Sequence, residues 1–139
     1  MSAIATVVVV TFGLLMIAFT VVVFSKQEVA ERFLSLFASS ARSHYLEQVF
    51  RVLAGAALVV SSPSMWQSKS FWFVGWVIVV SSAVLMCIPW QWHHRFGERV
   101  KPLLLRYLKL YAVGSFVFGA LLLYGLFAGS STAARLAPQ

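Results

Sequence analysis

Charge is scarce in this chain. Lys, Arg, Asp and Glu make up 11% of its 139 residues, against about 25% in soluble domains. Four long stretches, near 4–24, 49–65, 71–88 and 108–128, are free of charge apart from Arg51 and Lys109 close to their ends. Aspartate is absent, and the acids are Glu28, Glu31, Glu47 and Glu98. That set offers no paired carboxylates with an orienting shell for acid–base catalysis. No serine lies in a GxSxG elbow or beside a fixed histidine and acid, so the sequence is read as that of a non-enzyme. Cys87 is the sole cysteine, which rules out an intrachain disulfide, a CxxC redox motif and a cysteine-based zinc site.

What is present is apolar length. The chain is 60% hydrophobic, with a mean hydropathy of +0.86. A bilayer core of about 30 Å takes roughly 20 apolar residues per helix, so four spans and their connections use nearly the whole chain. The expected fold is an all-α integral membrane protein, residues 1–139 forming a single bundle of four transmembrane helices with cytoplasmic amphipathic segments. The β-branched run Val7–Val10 is no obstacle, because in lipid the backbone must satisfy its own hydrogen bonds and helix is enforced. The start lacks a basic region and a small-residue cleavage site, so the first span is expected to be retained.

The connections carry the charge. Segment 25–48 has Val29, Phe33 and Leu36 or Phe37 at helical spacing among Glu28, Glu31 and Arg32, the pattern of a helix lying in the headgroup plane. Arg51 is read as snorkelling at the end of the second span, with Glu47 placed i, i+4 for a local ion pair. Segment 89–107 is basic and aromatic, and Pro102 is read into the first turn of the helix that becomes span 4. The remainder, 129–139, is expected to be an irregular outer tail.

Nine of the 11 basic residues fall in 25–51 and 89–109, with Lys69 and Arg135 on the other side. The positive-inside rule then makes both long loops cytoplasmic and both termini external, as in a bacterial inner membrane. Trp66 and Trp72 would mark the outer interface, Trp90 and Trp92 the inner one. The net charge of +7 is assigned to anionic headgroups rather than to nucleic acid, because the basic residues adjoin apolar spans. Candidate lipid or partner contacts are Arg32, Arg42, Arg95, Arg99, Lys101 and Arg106, with Trp90 and Trp92 as depth anchors.

The layout repeats as span, basic segment, span, twice over, with Arg32-Phe33 and Arg95-Phe96 at equivalent places. This suggests two hairpins related by an axis along the membrane normal. Small residues mark helix-packing faces: Gly55, Gly114, Ser115 and Gly119, with Gly125 and Gly129 at GxxxG spacing near the outer end. His44, His93 and His94 are weak ligand candidates for a metal, haem or quinone. Adjacent histidines diverge on a helix, and no thiolate or carboxylate stands at ligand spacing. No cofactor and no metal site are therefore expected.

In length and span number the chain resembles the small multidrug transporters, which rely on an acidic residue in the first span. Here that span offers Thr6, Thr11 and Thr20, so the resemblance stops at size. The expected function is that of an accessory, assembly or scaffold subunit acting through helix packing and a basic cytoplasmic face, with membrane lipids and another membrane protein or itself as partners. Two alternatives remain, a homo-oligomeric channel or carrier for a lipid, quinone or other apolar solute, and a cofactor-binding redox subunit.

Overall fold

The computed structural model describes residues 2–37 and 40–136, with the side chains at 36, 37, 41, 90, 93 and 132–136 outside the description. Six α-helices occur among the described residues: α1 (Ala3–Ser25), α2 (Gln27–Phe37), α3 (Ala41–Ser61), α4 (Ser68–Cys87), α5 (Trp90–Arg106) and α6 (Leu108–Leu136). Four helical stretches, in α1, α3, α4 and α6, are long and apolar enough to cross a membrane. The helices α2 and α5 are short and strongly amphipathic.

Several boundaries differ from the sequence reading. The helix carrying the second apolar stretch begins at Ala41, not near Val49, because Ser40 caps it by accepting from the Ser43 amide at 3.2 Å. Pro102 lies inside α5 rather than opening the next helix. The break comes at Tyr107, whose amide still donates to Leu103 O at 3.1 Å, so α5 passes into α6 through a single non-helical residue. At the other end α6 runs on through Leu136, where an irregular tail is expected. Residues 129–136 contain no proline, and Gly129 packs against the backbone of Ser64.

Two antiparallel pairs organise the bundle. The helix α1 packs along α6, α3 packs along α4, and α1 also touches α3. Both pairs cross where two glycines meet. A Cβ on Gly119 would stand 2.7 Å from Gly13 O, and one on either Gly55 or Gly75 would stand 2.9 Å from the carbonyl oxygen of the other. Backbones this close gain dispersion contacts and allow weak Cα–H···O interactions.

The main core unites Val9, Leu58, Phe71, Leu122 and Leu126. It is closed at the 62–67 end by a 3-10 turn, Ser62–Ser64, followed by the Trp66 amide donating to Gly125 O at 3.0 Å. A second cluster, Val23, Ala30, Leu108 and Ala112, closes the opposite end and docks α2 through Ala30 and Leu34. Val29 and Phe33, the expected apolar face of α2, are exposed. The basic residues of α2 and α5 gather at this second end.

Candidate functional site: an open groove over a charged pair

Arg51 and Glu47 form an ion pair of 3.8 Å on α3, each side chain about two-fifths exposed (40% and 37%). The i, i+4 spacing brings them together as expected, but their depth is not the expected one. Gly55 faces Gly75, and His44 Nε2 lies 3.4 Å from Leu85 O. This register sets Arg51 opposite the middle of α4, about 6 Å from the glycine crossing at 1.5 Å per residue. Arg51 stands at the start of the apolar run 49–65 and at the same time near the middle of the helix that carries it. The helix starts eight residues before the apolar run does, and Arg51 is carried well inside it.

The pair also faces inward. Glu47, Arg51, Ala54 and Leu58 form one stripe at helical spacing. Ala54 and Leu58 line a cavity of about 10 Å³ at the bundle centre with Val9, Phe12, Ile78, Phe118 and Leu122. A volume of that size admits about one water, and an all-apolar lining leaves it dry. Just beyond it, on the same stripe, the charged pair is accessible.

The accessibility comes from the splay of α4 and α6. These helices meet near the 62–67 end, where Phe71 lies against Gly125, but they share no extensive contact among the described residues. At the basic end they are joined by α5 alone, a helix of 17 residues and so about 25 Å long. Adjacent packed helices stand about 8–10 Å apart, so a strut of that length holds the two ends apart. The inward stripe of α3 at Glu47 and Arg51 is therefore left uncovered between α4 and α6, an open groove on the side where α5 links the two helices. Tyr111, 63% exposed on α6 at the open half, and the half-buried Ser115 are on the α6 flank of this groove.

The other expected contacts lie at the basic end, on α2, α3 and α5. Arg32, Arg42, Arg95, Arg99 and Arg106 are exposed, and Lys101 pairs with Glu98 at 3.9 Å. Trp92 is 71% exposed, whereas the side chains of Trp90 and His93 lie outside the described residues. A separate cleft of about 430 Å³ opens at the α5–α6 break, lined by Gln27, Leu105, Arg106, Tyr107, Leu108 and Lys109.

Of the expected packing residues, Gly55 and Gly119 are at the two helix crossings, while a Cβ on Gly114 would meet nothing within 4 Å. Gly114 therefore takes no part in packing within the bundle, and its face is open. Their true partners, Gly13 and Gly75, were missed, although each is the sole glycine of its helix. His44 is buried and His94 half-buried. No group of three His, Cys, Asp or Glu among the described residues is arranged to hold a metal ion. Comparison of the chain with protein-family models, with curated proteins and with solved structures gives no match.

Proposed function

We propose that this chain is a polytopic membrane protein whose basic end is cytoplasmic and whose termini are external, and that it serves as an accessory or assembly subunit of a membrane complex. The observation that carries the reading is the interior. Where four spans converge, the centre leaves an apolar cavity of only about 10 Å³, and glycine backbones meet at both helix crossings. A bundle closed in this way is built to pack, not to conduct through its own axis. Its outward faces, with Phe73, Trp76, Val80, Phe116 and Val117 exposed, are apolar enough for lipid or for another spanning helix. The arginines of α2 and α5 are available to acidic headgroups or to a partner's loop.

Burial symmetry supports the two-hairpin reading of the sequence. At one constant offset Val9, Gly13 and Thr20 of α1 correspond to Phe71, Gly75 and Ser82 of α4. At a second, Gly55, Leu58 and Ser62 of α3 correspond to Gly119, Leu122 and Leu126 of α6. All twelve are buried. Exchange of the hairpins maps the α1–α6 crossing onto the α4–α3 crossing, as an axis along the membrane normal requires.

The test is native mass spectrometry of the tagged chain extracted gently from its own membrane with lipids retained. A stoichiometric larger membrane protein in the complex is the expected result. A closed ring of this chain alone would replace the accessory reading with a homo-oligomeric channel or carrier. A purely soluble distribution of the chain would remove the membrane reading itself.

A further inference from the structure

We infer that the groove between α4 and α6 is a binding site for one anionic phospholipid drawn from the basic-side leaflet, with Arg51 as its headgroup ligand. The inference rests on the membrane reading above, and begins from a cost. A charged side chain in the hydrocarbon is costly, and is kept where it meets a polar or charged partner. Arg51 and Glu47 are set well inside α3, yet their ion pair is long at 3.8 Å and about two-fifths of each side chain is open (40% and 37%). A pair that sealed itself would be shorter and covered. Such a pair needs a polar neighbour, and it faces the groove rather than the outer apolar surface of α3, where Phe50, Leu53 and Val60 are exposed.

Charge and shape favour a lipid as that neighbour. The site is entered from the end where α5 carries Arg95 and Arg99, both exposed and in no ion pair among the described residues. An anion approaching the mouth is therefore attracted before it reaches Arg51. Tyr111 on the α6 flank, 63% exposed, offers an aromatic surface to an acyl chain. The upper limit of the groove is the dry apolar centre at Val9, Phe12 and Leu58, which stops a headgroup from travelling further. Arginine presents several donors in a planar fork that suits phosphate oxygens. Glu47 holds part of that fork, so it is a competitor of the phosphate rather than a fellow ligand.

That competition gives the test a sign. The full chain is purified in mild detergent, exposed to equal amounts of phosphatidylglycerol and phosphatidylcholine, and weighed by native mass spectrometry. The wild type is expected to hold one phosphatidylglycerol in preference to phosphatidylcholine. Arg51→Gln should lower that preference at least tenfold, Arg51→Lys should leave part of it, and Glu47→Gln should raise it several-fold. Arg42→Gln, which removes a positive charge from the same end outside the groove, should change it less than twofold. Inorganic phosphate at millimolar concentration should not displace the lipid, because the acyl chains hold it.

The inference is overturned if Arg42→Gln loses as much as Arg51→Gln, which would mean surface charge alone. It is also overturned if Glu47→Gln and Arg51→Gln lose equally, as a purely structural ion pair predicts, or if the groove is filled by a second copy of the chain. Glu47→Gln keeps the test decisive should Arg51 variants fail to fold. Membrane-fraction controls separate the two readings: a variant and wild type that both insert but show no lipid preference sink the site alone, whereas a chain that never inserts sinks the membrane reading.

Discussion

The hydroxyl of Thr20 donates to the carbonyl oxygen of Ala112 across the α1–α6 interface at 2.7 Å, fully buried. The same hydroxyl also lies 3.1 Å from Met16 O within its own helix. Many helical threonines satisfy themselves one turn back, so the shorter bond is the one that ties two helices together. In the second helix pair the corresponding residues are Ser82 and Gln48, both buried, with Ser82 Oγ and Gln48 Oε1 lacking a hydrogen-bond partner among the described residues. The two halves thus share a polar level but not its chemistry.

Thr20→Val keeps shape and removes the hydroxyl. It should lower stability in mixed micelles by about 0.6 kcal/mol, and by no more than about 1.7 kcal/mol, the range of such bonds between spanning helices. Thr20→Ser should recover most of the loss. An unchanged unfolding midpoint for Thr20→Val in a detergent titration would show that the cross-helix bond adds nothing beyond the local one.

Gly119→Val places a side chain where its Cβ would stand 2.7 Å from Gly13 O. The backbones must separate, at a cost of about 1–3 kcal/mol by the usual scale of overpacking. Gly55→Val should do the same at the other crossing. Gly114→Ala meets open space and should be neutral or slightly stabilising. Thermal unfolding followed by circular dichroism ranks the three, and equal losses at Gly114 and Gly119 would contradict the register.

Gln48→Met removes the buried amide from a position with 1% exposure. Because its Oε1 has no partner among the described residues, replacement by an apolar side chain of similar length should leave stability unchanged or raise it by up to about 1–3 kcal/mol. A clear loss would instead mean that the amide is paired in the working protein. The measurement is the same detergent titration, made beside Ser82→Ala.

Orientation is tested by cysteine labelling in a Cys87→Ser background. Gln67→Cys and Ser130→Cys, at exposed sites on the 62–67 end, should react with an impermeant maleimide added to intact cells. Ser43→Cys and Gly97→Cys should react only after the membrane is opened. The opposite pattern would invert the topology and move the groove mouth to the external face.

The sequence by itself determined the helical class, the four long apolar helices and the basic character of one end, because these depend on composition and on periodicity along single segments. It also determined that Glu47 and Arg51 pair, since a four-residue spacing acts within one helix. It did not determine where the pair lies. Apolar runs mark where lipid-compatible residues are dense, but Ser40 decides where α3 starts, and the glycine crossings decide which level of α4 each of its residues meets. Gly13 and Gly75 were unread for the same reason: a glycine in a helix looks the same whether it faces another backbone or open space, as Gly114 does. The groove lay furthest from view. It depends on α5 linking the ends of α4 and α6, and a separation between two helix ends is a property of three elements in space that no single stretch of residues encodes.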